Sequence, residues 1–164
     1  MNVTLSTFGG VGWQFFDNSG LPLSGGLIYT YAASTTTPQA TYTTSAGNIA
    51  HANPIVLDST GRVPGGEIWV PFNLSYKFVL QTSTNTLIAT YDNITSGTMP
   101  IIGDFTGTGS QTAFVLSANP ASLNTTNVYI NGVYQNKNTY SLTTNTITFT
   151  QAPPVTSIIE VSFS

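Results

Sequence analysis

The segment Val128-Tyr129-Ile130-Asn131-Gly132-Val133-Tyr134-Gln135 decides the fold class. Two runs rich in β-branched and aromatic residues flank an Asn-Gly pair. Asn-Gly accepts positive φ at both centres of a type I′ turn, whose twist matches that of antiparallel strands. A hairpin is therefore predicted over 128–135. The same pattern recurs outward from it. Tyr140-Ser141-Leu142 is predicted to pair with Ile147-Thr148-Phe149 across Thr144-Asn145, within a strand over 146–150. A strand over 112–116 precedes the hairpin, and Pro153-Pro154 breaks the chain before a last strand over 158–163.

In the N-terminal half, Leu27–Tyr31 is a strand entered by Gly25-Gly26, and Ala40–Thr43 is another. Pro54–Leu57 runs into the turn Asp58-Ser59-Thr60-Gly61, where glycine can take positive φ. Glu67–Val70 stops at Pro71. Tyr76–Leu80 is predicted to pair with Leu87–Tyr91 across Ser83-Thr84-Asn85. No segment sustains a helical period, so the chain is all-β. Between 95 and 109 the pattern lapses into TSGTMPIIGDFTGTG, with four glycines and a proline. That stretch is predicted as a linker, with the apolar Ile101-Ile102 pair suited to docking on a neighbour. The expected organisation is two small β-sandwich-like domains, 1–94 and 110–164, joined by the Gly-rich linker 95–109.

Composition narrows the function classes. Only 5% of the 164 residues are charged, against about 25% in ordinary domains. Solvation must come from Thr, Ser, Asn and Gln. With 40% hydrophobic and 12% aromatic residues, disorder is a poor reading. A surface with so little charge repulsion suits a chain that lives in an assembly. Three basic residues, Arg62, Lys77 and Lys137, cannot track a phosphate backbone, so nucleic acid is not an expected partner. No apolar run approaches the ~18 residues of a membrane-spanning helix. The N-terminal MNVTLSTFGG lacks the blocks of a signal peptide, so synthesis in a cytoplasm is expected. Without cysteine, disulfides and thiolate metal sites are excluded.

Candidates for chemistry are few, and no catalysis, cofactor or metal is expected. Asp17, Asp58 and Asp92 each lie at or near a strand end, where a carboxylate accepts backbone N–H bonds. Glu160 alternates with Ile159 and Val161 and is expected to face solvent. His51 stands without a Gly-x-Ser-x-Gly elbow or a cysteine nucleophile. The loop Gly103–Gly109 has one carboxylate where tight calcium sites have several. Gly107-x-Gly109 lacks the third glycine and the helix of a dinucleotide site.

The aromatic residues point instead to interfaces. Trp13, Phe15 and Phe16 cluster near the N-terminus. Consecutive strand residues face opposite ways, so one phenylalanine can enter the core while the other meets a neighbour. Tyr129 and Tyr134 flank the Asn131-Gly132 turn and are candidates for a partner or a sugar.

Several motifs carry a family resemblance. Gln14-Phe15-Phe16 is followed by DNSGLPLSGGLIYTYAASTTTPQATY (17–42). TYTTSAGNIAHANPIVLDSTGR (41–62), SYKFVL (75–80) and YDNI (91–94) come after it. Together they resemble the N-terminal virion-attachment domain of bacteriophage tail fibres and tailspikes. The unit from GTGSQTAFVL through VYINGVYQNKNTYSL to ITFTQAPPVTSIIEVSF resembles, less specifically, a small tail-fibre β-sandwich module. The resemblance implies a virion protein without catalysis, sited at the tail or tail-attachment region. It also implies a homotrimer whose partners are tail, portal-adaptor and fibre proteins, with a host glycan as a further partner. Tailspikes that cleave polysaccharide carry a long β-helix, which this chain is too short to hold. Without a stem or distal domain, an adaptor or short fibre is the expectation. The alternatives are a carbohydrate-binding adhesin and a capsid-bound head fibre or decoration protein.

Overall fold

A computed structural model of the chain describes residues 2–164. They are almost entirely strand, turn and loop, with a single 3-10 turn at Leu123–Thr125. The chain divides into two compact units, one running to Thr98 and the other spanning Met99–Ser164.

The first unit contains β1 (Val3–Leu5), β2 (Leu27–Ala32), β3 (Ile55–Val56), β4 (Trp69–Pro71), β5 (Ser75–Gln81) and β6 (Leu87–Thr95). Four of these form an antiparallel sheet in the order β3-β2-β5-β6, while β1 and β4 make a two-stranded ribbon. Strict alternation along β5 turns Tyr76, Phe78 and Leu80 inward and leaves Ser75, Lys77, Val79 and Gln81 half-buried on the outer face. The predicted β5–β6 hairpin forms, with Asn85 in the left-handed region at φ 62°. A core of Ile28, Tyr76, Phe78 and Leu80 from the sheet meets Phe8, Phe15, Leu23, Leu57, Val63 and Ile68. Most of that second layer is irregular chain, so loops complete the packing of this unit. Phe78 is fully buried and stacks on Phe8 at 4.6 Å between ring centroids.

Two details differ from expectation. Ala40–Thr43 is not a strand: Tyr42 makes isolated bridges to Ala50 and Trp69 only. β4 starts two residues later than the expected 67–70 run and ends on Pro71, which still pairs with Val3, as proline can at a strand end.

The second unit contains β7 (Ile101–Thr106), β8 (Ala113–Val115), β9 (Thr126–Ile130), β10 (Val133–Gln135), β11 (Tyr140–Thr143), β12 (Thr146–Phe149) and β13 (Ile158–Phe163). Its two antiparallel sheets, β10-β9-β13-β7 and β11-β12-β8, enclose one core. Val128, Ile159, Val161 and Phe163 come from the larger sheet, and Phe114, Tyr140, Ile147 and Phe149 from the smaller. This is a β-sandwich. Asn131 and Gly132 turn the β9–β10 hairpin at φ 50° and 77°, as a type I′ turn requires.

The expected linker 95–109 is largely structured. β6 continues through Thr95, and β7 pairs along its whole length with β13. Ile101 and Phe105 pack on the core, which is why so glycine-rich a stretch becomes a strand. Gly107 follows β7 in a close approach. A Cβ there would collide with the Pro154 carbonyl oxygen and the Ser157 hydroxyl.

Candidate functional site

Residues 14–23 and 58–62 of the first unit form one hydrogen-bonded knot. Asp17 Oδ1 accepts the amides of Ser19 and Leu21, at 2.8 and 2.9 Å. Asp58 Oδ1 accepts those of Thr60 and Arg62, at 2.8 and 3.0 Å. Both turns close by an amide three residues on, Gly20 to the Asp17 carbonyl and Gly61 to the Asp58 carbonyl. The segments DNSGL and DSTGR are thus the same turn used twice. Phe15 lies between them: its amide donates to the Gly61 carbonyl at 2.8 Å, and its own carbonyl accepts from Leu23 at 2.9 Å. The Thr60 hydroxyl and the Arg62 amide hold the Asp58 carboxyl below its usual range.

Beside this knot is an apolar depression of about 260 Å³, lined by Thr7, Phe8, Trp13, Phe15, Tyr91 and Ile94. It lies along β6, the outermost strand of the sheet. Tyr91 pairs with Phe78 and turns to the same face, with its ring 5.1 Å from Phe8. Trp13 is 52% exposed and Tyr91 44%. A Cβ on Gly10 would lie 3.3 Å from the Trp13 indole nitrogen, so the glycine lets the indole approach the backbone.

The five interface candidates separate clearly. Trp13 is exposed on the rim of the depression, Phe15 is in the core beneath it, and Phe16 is 48% exposed. Phe15 is therefore a packing residue and not a projecting one. Tyr129 and Tyr134 are direct cross-strand neighbours with rings edge to face at 5.8 Å. Sequence reading missed Phe8 and Tyr91 in the depression. Their association depends on the Phe78–Tyr91 register, which no local pattern encodes.

The remaining polar groups hold structure. Asp92 accepts the Ser34 and Asn93 amides, at 2.9 and 2.7 Å, and the Ser34 bond chiefly lowers its pKa. His51 Nε2 lies 3.0 Å from the Glu67 carbonyl oxygen, and burial pushes the His51 pKa down. A neutral imidazole donating to that carbonyl satisfies both observations. The buried Tyr76 hydroxyl donates to the Ala40 carbonyl, and burial raises its pKa to about 12. The predicted loop 103–109 begins as β7, and Asp104 sits on that strand opposite Glu160. Among the described residues no three His, Asp or Glu side chains converge, and no helix is long and apolar enough to cross a membrane.

Compared with known proteins, the chain matches no family profile and no curated protein sequence.

Proposed function

We propose that this chain is a non-enzymatic structural protein of a bacteriophage virion, an adaptor or short fibre that fixes fibres or spikes at the tail-attachment region. It acts as a homotrimer, by surface complementarity. The supporting observation is the apolar depression of Phe8, Trp13, Phe15, Tyr91 and Ile94. It lies beside the knot formed by Gln14-Phe15-Phe16 and the two Asp turns, the motifs that carry the family resemblance. Trp and Tyr at an apolar, partly exposed site are the residue types that anchor protein interfaces. The adjoining strand β6 presents a free edge nine residues long, a template for pairing with another chain.

Density-gradient-purified virions, analysed by mass spectrometry, test the assignment. Incorporation in fixed ratio to tail proteins is the expected result, and a position on isolated capsids assigns the chain to a head fibre instead. A chain found only in the free-protein fraction would overturn the proposal. Light scattering of the recombinant chain tests the trimer, which Trp13→Ser and Tyr91→Ser should weaken.

A further inference from the structure

The outer face of the β10-β9-β13-β7 sheet carries an unusual row. Tyr134 pairs with Tyr129, Tyr129 with Glu160, and Glu160 with Asp104. Directly paired residues share a face, and Ile159 and Val161 beside Glu160 are fully buried. The row therefore looks outward, spanning about 14 Å at the ordinary strand spacing.

Two carboxylates set directly opposite each other repel. The chain has six carboxylate side chains. Four have donors: Asp17, Asp58 and Asp92 hold backbone amides, and Glu67 accepts the Trp69 indole N–H at 2.7 Å. Asp104 and Glu160 have no hydrogen bond or ion pair among the described residues. The two carboxylates without a partner are thus the two placed side by side. Nor does the unit supply a counter-charge. Its one basic residue, Lys137, directs its ammonium to the Leu123 and Thr126 carbonyls.

Next to the carboxylates is a small depression of about 170 Å³, lined by Tyr129, Gly132, Ile158 and Glu160. Ile158 is 66% exposed. Ile158 lies two residues before Glu160 on the same face of β13, and Tyr129 stands beside Glu160 on β9, so apolar, aromatic and anionic groups adjoin there. We propose that this face binds a basic side chain, Lys or Arg, presented by a protein partner. The aliphatic stem would lie on Ile158 and Tyr129. The cationic head would meet Glu160 and Asp104 with the tyrosine rings alongside. A neutral sugar fits less well. A pyranose stacks on an open ring face, whereas Tyr129 and Tyr134 meet at an interplanar angle of 64° and offer no common platform. This inference does not depend on the virion assignment.

The test is a titration of the whole chain with a short lysine-rich peptide and its fully acetylated analogue, followed by two-dimensional NMR. The expected result is shifts centred on Tyr129, Tyr134, Ile158 and Glu160 with the charged peptide only. Glu160→Gln with Asp104→Asn should weaken binding about tenfold or more. Tyr134→Ser, which changes no charge, should weaken it several-fold. Three results overturn the proposal: equal binding of the acetylated peptide, unchanged affinity in Tyr134→Ser, or shifts at these residues from a neutral oligosaccharide or calcium with none from the peptide. The wild-type shift map decides the matter even if a variant fails to fold.

Discussion

Gly20 and Gly61 hold the same place in the two Asp turns, at φ 79° and 75°, yet substitution should affect them very differently. At Gly20 an added Cβ meets nothing within 4 Å. At Gly61 it would lie 2.5 Å from the Phe15 carbonyl oxygen and 2.7 Å from the Leu23 amide nitrogen. Alanine in the left-handed region costs about 1–2 kcal/mol. About 0.4–1 kcal/mol returns because alanine narrows the unfolded ensemble. Gly20→Ala should therefore destabilise the first unit by about 1 kcal/mol or less. Gly61→Ala adds an overpacking term of about 1–3 kcal/mol. That term should sit at the upper end, because the colliding atoms are backbone and are hydrogen-bonded to each other. The total is about 2–4 kcal/mol. At about 4–8 °C per kcal/mol for a domain of this size, Gly20→Ala lowers the midpoint by a few degrees. Gly61→Ala lowers it by about 10 °C or more. Both tryptophans, Trp13 and Trp69, lie in the first unit, so thermal melts read by tryptophan fluorescence isolate it. Equal losses in the two variants would refute the argument that close backbone approach requires Gly61.

Other outcomes follow from the same geometry. Phe78→Ala, in the fully buried stack with Phe8 and Tyr76, should cost about 3–5 kcal/mol in urea unfolding; a loss under about 1 kcal/mol would mean that loop packing collapses into the cavity. Glu160→Gln should raise the melting temperature slightly by relieving Asp104, and the gain should shrink as salt rises; a salt-independent gain would point away from charge. The folded-state pKa values of Asp58 and Asp92 are lowered from 3.8. Their contribution is present above that value and is lost as pH falls below it through the folded values, so Asp58→Asn should flatten this part of an acid titration of stability. His51, lowered from 6.5, is neutral in the fold while the unfolded chain gains a proton. Stability should fall as pH drops below 6.5, and less so in His51→Gln.

Turn chemistry made much of this architecture readable. Asn131-Gly132, Thr144-Asn145 and Ser83-Thr84-Asn85 each sit between β-forming runs, and each closes the hairpin that its residues demand. What failed was decided by partners remote in sequence. Ala40–Thr43 has the alternation of a strand, but only Tyr42 finds bridge partners. Residues 101–106 look like linker because the stretch 95–109 around them is rich in glycine and threonine, yet Ile101, Gly103 and Phe105 alternate inward while β7 pairs with β13. That period of two was the available signal. In the sequence Asp104 stands in a loop-like, glycine-rich run and Glu160 in an alternating strand that faces it to solvent. Their opposition exists only in the β7–β13 register. Phe8 and Tyr91 join the depression for the same reason, because sheet register brings together residues far apart in the chain.

The β7–β13 ladder also has a mechanical meaning. Ile101 pairs with Phe163 and Thr106 with Ile158, so the chain enters and leaves this ladder at the same end. Tension applied between the segment before Ile101 and the segment after Phe163 would load one pair of hydrogen bonds at a time. The strands would peel apart like a zipper, where a ladder pulled from opposite ends must shear all its bonds together. For the proposed role of holding a fibre against drag, that path would be a weak one. Load through the second unit would have to enter by its broad sheet faces, and the backbone entering at Ile101 would serve as a tether only.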